Sequence, residues 1–206
     1  MAYDLDAVEV RVLGALLEKD LTTPDYYPLS LNALVNACNQ KSSRDPVVQY
    51  EEAAVEQATD SLRHRGLVLV HLGGSRVKKY SHRLGELNLG RRELPLLCVL
   101  MLRGPQTLGE LRGRTERMHE FSDLEEVERV LQALAERPEG PLVAKLPHQP
   151  GTKEARYAHL WSGEPVMTAA TAVEPRADRL AAVEAEVAAL RQELDALKQQ
   201  LAGILN

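Results

Sequence analysis

Asn32, Asn36 and Asn39 fall four and three residues apart in LNALVNACNQ, which sets three amides along one side of a helix. Asparagine is a poor helix former, so three on one face point to a hydrogen-bonding surface, turned toward a partner protein or toward the chain's own loops. Cations suited to phosphate gather elsewhere: Lys41 and Arg44 in the loop KSSRDP, Arg76, Lys78 and Lys79 in GGSRVKKY, and Arg112, Arg114 and Arg117 in LRGRTER. Basic groups on loops and hairpins contact the nucleic-acid backbone rather than reading bases. The same charges equally suit a solvated surface. Arg44-Asp45-Pro46 also reads as a self-contained turn in which Asp45 pairs Arg44 or caps a short helix.

Signals for catalysis are weak. The histidines His64, His71, His82, His119, His148 and His159 show neither HExxH nor paired ligand spacing. Gly73-Gly74-Ser75 lacks the context of a nucleophile elbow, and no glycine-rich phosphate loop occurs. Cys38 and Cys98 sit on apolar helix faces without CxxC spacing, so they read as small core residues rather than a disulfide or zinc pair. A non-enzyme is expected, with no catalytic residue, metal or cofactor.

Composition narrows the partners. The net charge of −5 hides an asymmetry: residues 1–62 carry 4 Lys/Arg against 11 Asp/Glu, and residues 63–92 carry 8 against 1. A mildly acidic total is therefore compatible with a polyanion, because a local patch supplies the field. The N-terminus lacks the apolar region of a signal peptide, and the apolar run from Leu94 to Leu102 is too short for a bilayer. A cytoplasmic protein without a membrane segment is expected.

The elements that would position these residues follow from periodicity. With aromatics at 4%, the core must be built from Leu, Val and Ala, which leans toward helix. Val10, Leu13, Leu16 and Leu17 form a stripe on a helix from Asp6 to Lys19, capped by Asp4 or Asp6. TTPDYYP interrupts it. Ser30 caps a second helix burying Leu31, Leu34, Val35 and Cys38, and a third, from about Tyr50 to Arg65, turns Val55, Ala58, Thr59 and Leu62 inward. LVLVHL and RVKKYSH around Gly73-Gly74 predict a β-hairpin.

The order then recurs. A helix from Arg91 to Leu102 precedes one opened by Thr107 with Glu110 as a capping box, then one opened by Ser122 or Asp123, then strands PLVAKL and ARYAHLW. Ser30 and Thr107 lie 77 residues apart, as do Tyr80 and Tyr157. Three helices and a hairpin, twice over, predict a mainly α fold with small β-hairpins, arranged as two tandem winged-helix domains at 1–86 and 87–161. The exposed side of the first third helix, Glu52, Glu56, Gln57 and Asp60, is acidic, which opposes ordinary major-groove reading.

Residues 162–175 read as a flexible linker, and 176–206 as a coiled-coil helix. Leu180, Val183, Val187, Leu190, Leu194, Leu197, Leu201 and Ile204 alternate spacings of three and four. In a parallel pair, Arg179–Glu184, Glu186–Arg191 and Glu193–Lys198 are all attractive, so parallel self-association, with a dimer as its simplest form, is expected.

The segments TTPDYYPLSLNALVNACNQKSSRDPV, GGSRVKKY, LMLRGPQTLGELRGRTERMHEFSDLEEVE and PGTKEARYAHLWSG resemble the YceH family of bacterial proteins, essentially end to end. The resemblance implies tandem winged helices and brings no activity or ligand with it. The expected function is that of an oligomeric, transcription-regulatory DNA-binding protein touching phosphates through its basic loop and wing. The alternative is a protein-interaction adaptor using the acidic third helices and the Asn face.

Overall fold

The middle of the first helix is buried on every side rather than along one stripe, its charged residues Glu9 and Arg11 included. In the computed structural model, which describes residues 3–72, 77–147 and 154–163, all nine residues from Glu9 to Leu17 of α1 (Ala7–Thr22) are buried. A helix without a wet face needs neighbours all round. Helices α2 (Leu31–Cys38) and α3 (Glu52–His64) pack against it, and α4 (Glu93–Arg103), itself buried from Pro95 to Leu102, crosses it. The crossing is close because Gly14 faces α4: a Cβ there would sit 3.0 Å from Cδ2 of Leu102 and 3.1 Å from Cβ of Met101.

The described residues contain six α-helices and five strands. Strand β1 (Leu29–Ser30) follows α1, and β2 (Val68–His71) and β3 (Lys79–His82) follow α3; the three form an antiparallel sheet in the order β1-β3-β2. In the second half, α5 (Leu108–Thr115) and α6 (Leu124–Ala135) lead to a two-stranded sheet of β4 (Val143–Lys145) and β5 (Tyr157–His159). Leu29 pairs with Tyr80 in the first sheet, and an isolated bridge joins Gln106 to Tyr157 in the second half. Both partners are displaced by the same 77 residues that separate Ser30 from Thr107, so the periodicity of the sequence reappears as strand register. Strand β1 has no sequence signal, being two residues long.

Helix starts follow their side-chain oxygens. Asp6 accepts from the amides of Val8 and Glu9 while Glu9 accepts from Asp6 N, a capping box. Ser30 caps α2, Thr107 and Glu110 box α5, and Asp123 rather than Ser122 caps α6. α1 outruns its expected end by about a turn, and at that end Thr23 N bonds Lys19 O while the hydroxyls of Thr22 and Thr23 donate to Glu18 O and Lys19 O. The expected inward residues Val55, Ala58, Thr59 and Leu62 are all buried.

The two halves share one hydrophobic core, running from Leu5 through the α1–α4 crossing to Trp161. Leu5 N donates to Trp161 O at 2.7 Å, and the ring of Tyr3 lies 4.5 Å from that of Trp161. The expected linker 162–175, apart from its first two residues, and the heptad helix 176–206, with Leu180, Val183, Val187, Leu190, Leu194, Leu197, Leu201 and Ile204, lie outside the described residues, as does Arg76.

Replacing Gly14 with leucine forces extra carbon into the α1–α4 contact and is expected to destabilise the protein by about 1–3 kcal/mol, measured as a lowered midpoint in urea unfolding.

Candidate functional site

The loop between α2 and α3 contains the two cations expected there, and their environments are opposite. Lys41 is exposed. Arg44 has a fully buried side chain. Its Nη1 and Nη2 donate to Oε1 and Oε2 of Glu18 at 2.9 and 2.8 Å, a bidentate pair, and Nη2 also reaches Ala37 O at 2.7 Å and Gln40 Oε1 at 3.0 Å. The expectation that Arg44 faces a phosphate is therefore corrected, and Glu18 of α1, not Asp45, is its partner. The physical reason lies at the end of α2, whose last carbonyls have no intrahelical donor. Arg44 satisfies Ala37 O, and a second buried arginine, Arg11 of α1, donates to Cys38 O at 3.1 Å and Pro46 O at 2.7 Å. Burial, together with the nearby Arg44 charge, lowers the Arg11 pKa below its ordinary value.

The three asparagines divide. Asn32 and Asn36 are exposed, and Asn36 Nδ2 donates to Asn32 Oδ1 at 3.1 Å. Asn39 caps the C-terminus of α2 and clamps Tyr50 from both sides, donating to its carbonyl and accepting from its amide, each at 2.8 Å. Its role is to hold the entry to α3. The TTPDYYP segment is likewise absorbed by structure. Tyr27 Oη accepts from His82 N at 2.6 Å, and Asp20 lies 3.1 Å from His82 Nε2, so the segment braces β3. Burial pushes the His82 imidazole below its usual pKa even beside Asp20.

On the β2–β3 hairpin, Lys78 and Lys79 are exposed and make no ion pair among the described residues. Leu72 and Val77 are exposed at 81% and 56% on the same hairpin and set apolar surface beside its charges. The outward residues of α3, Glu52, Glu56, Gln57 and Asp60, are exposed as expected.

Arg112, Arg114 and Arg117 belong to the second half, on and just beyond α5. Arg112 donates to Phe121 O and Ser122 O, which ties the following loop down. Arg114 lies 3.6 Å from Glu110, and Arg117 is exposed. Arg114 and Arg117 come together with the α2–α3 loop of the first half across a cleft of about 240 Å³. Lys19 and Arg103 complete its basic lining, and Gln40, Ser42 and Ser43 contribute polar groups. Neither Lys19 nor Arg103 stands out in the sequence, since a basic residue in a helix's last turn is the ordinary complement to the dipole. The signal that would find them is the coincidence of three such ends once the α1–α4 crossing is known. Among the described residues no group of His, Cys, Asp and Glu is arranged to hold a metal, and no helix is long and apolar enough to cross a membrane.

The sequence matches the model of a family described as "Protein of unknown function, DUF480" over residues 5–152. It is 58% identical over 195 residues to a UPF0502 protein of Citrifermentans bemidjiense, covering 94% of this chain and 90% of the relative. A UPF0502 protein of Solibacter usitatus is 55% identical over 206 residues, covering 97% and 98%. One of Vibrio parahaemolyticus is 49% identical with both chains covered completely.

Removing one member of the buried pair leaves the other uncompensated, so Arg44→Met is expected to cost about 3 kcal/mol in urea unfolding. Burial raises the Glu18 pKa, but hydrogen bonding and charge from Arg44, aided by Lys19, outweigh it and hold the group below 4.5. A depressed carboxylate stabilises the fold fully above its unfolded value and loses that contribution as pH falls through the folded one. Glu18→Gln is therefore expected to flatten the fall in stability below about pH 4.5 relative to wild type, read from urea midpoints across that range.

Proposed function

The chain belongs to the DUF480 family, whose relatives described above carry the name UPF0502, and we propose that it is a non-enzymatic, oligomeric winged-helix protein that binds double-stranded DNA through phosphates. The order α1-β1-α2-α3-β2-β3, with β1 pairing β3, supports the winged-helix reading, as does its recurrence in the second half with Gln106–Tyr157 in place of a first strand. The observation that carries the DNA reading is that Lys78 and Lys79, on the wing, are exposed and make no ion pair among the described residues. Arg44 and Arg112, in contrast, are held by internal acceptors. Lys41 adds a contact from the loop.

The acidic face of α3 sets the mode. Glu52, Glu56 and Asp60 repel phosphate, so α3 stays out of the major groove and affinity comes from flanking backbone contacts with little base discrimination. Self-association through a parallel coiled coil at residues 176–206 brings several modules onto one duplex and multiplies weak contacts.

A second reading, a protein-interaction adaptor, is favoured by the apolar Leu72 and Val77 on the wing, the exposed Asn32–Asn36 pair and the acidic α3. Duplex binding separates the two.

Fluorescence anisotropy with mixed-sequence duplex is expected to give affinity that falls steeply with salt. The double charge reversal Lys78→Glu with Lys79→Glu should weaken it at least about tenfold at low salt and reduce the log–log salt slope by about 2. Absence of binding by the wild-type protein at low salt sinks the DNA reading and leaves the adaptor. Truncation after Val173 is expected to lower the solution mass, by light scattering, to that of a monomer.

A further inference from the structure

We infer that the cleft between the two halves is a binding site for a small phosphate-bearing molecule, gripped by Lys19, Arg103, Arg114 and Arg117. The inference is independent of duplex binding, which rests on the wing.

Charge is the first argument. Four cations line the cleft against one carboxylate, Glu18, which Arg44 holds in a bidentate pair and Lys19 approaches at 3.2 Å. Arg103 is half-buried, and its guanidinium makes no hydrogen bond or ion pair among the described residues. Burial first, then the charges of Arg114 and Arg44, lower its pKa, and the carboxylates of Asp45 and Glu18 offset only part of that. Arg114 is held only by Glu110 at 3.6 Å, a carboxylate that Arg156 holds more closely at 2.9 Å. Helix dipoles account for part of this arrangement, since Lys19, Arg103 and Arg114 each stand in the last turn of a helix. A dipole is equivalent to only about half a charge, however, and Arg117 lies beyond the end of α5, so a positive excess remains. Lys19 and Arg114 share their carboxylates with closer arginines, and a cluster of cations short of counter-charge is a place where an anion completes the structure.

Shape and lining choose the kind of anion. A space of about 240 Å³ admits a compact molecule and excludes a duplex. Cys98, Val99, Leu102 and Met118 add apolar side chains to its lining. Apolar surface beside the cations sheds water and strengthens each charge-assisted contact. One guanidinium satisfies a carboxylate, whereas a phosphate offers more charge and several acceptor oxygens, matching a cluster of forked donors. Ser42 and Ser43 at the rim hold hydroxyls that make no hydrogen bond among the described residues. The hydroxyls of Thr22 and Thr23 are committed to α1 and do not contribute protons.

Isothermal calorimetry on the full chain with inorganic pyrophosphate, the ionic strength held constant with sodium chloride, tests this. Expected is saturable binding at one site per chain, weakened at least tenfold in Arg103→Gln and in Arg117→Gln and unchanged in Arg63→Gln, an exposed α3 arginine remote from the cleft lining. Because Arg117 is exposed, its variant keeps the test valid should Arg103→Gln unfold, and urea unfolding of each variant establishes which are native. Absence of saturable binding, equal losses in all three variants, or binding of citrate as tight as that of pyrophosphate would overturn the assignment.

Discussion

Helix ends need donors for their last carbonyls, and in this protein one short loop supplies them for two helices at once. Arg44 reaches into the protein to Ala37 O at the end of α2 and locks onto Glu18 of α1, while the next residue, Asp45, donates its amide to Leu102 O in the last turn of α4 at 2.9 Å. Two consecutive residues thus join α1, α2 and α4. A charged group this deep is tolerated because every direction of the guanidinium meets an acceptor, and Arg11 beside it is matched in the same way by Cys38 O and Pro46 O. Loop placement, the α1–α4 crossing and the geometry of the basic cleft all depend on that junction.

Much of the architecture was legible in the sequence. Apolar periodicity found six helices, and the caps at Ser30, Thr107 and Asp123 are where side-chain oxygens precede apolar runs. Strand β1 escaped because two residues carry no alternation, and it exists only because β3 is there to pair with it. The site was less legible. Arg44 looks like any loop cation in a one-dimensional reading, and only the approach of Glu18 from 26 residues away makes it a core residue. Asn39 looks like Asn32 and Asn36 by spacing, yet it sits one residue past the helix and turns its amide onto Tyr50. Lys19 and Arg103 could not be linked without the crossing of their helices.

The two halves use one plan with different emphasis. In the first, the plan is elaborated by β1, by the Tyr27 brace on β3 and by the Arg44 loop; in the second, the first strand shrinks to the Gln106–Tyr157 bridge. The additions that set the first half apart are chiefly structural. They brace strand β3 and build one wall of the cleft, and among the described residues Lys78, Lys79 and the guanidinium of Arg103 make no ion pair.

The glycine at the crossing of α1 and α4 has a consequence for how the chain is made. The α4-facing side of α1 at Gly14 is covered by Leu102 and Met101 of α4, so during synthesis α1 stays incompletely buried until α4 has followed. The N-terminal repeat, though complete as an arrangement of elements, therefore emerges with a sticky helix face, and nascent chains paused before α4 are the species in which a chaperone would find something to hold.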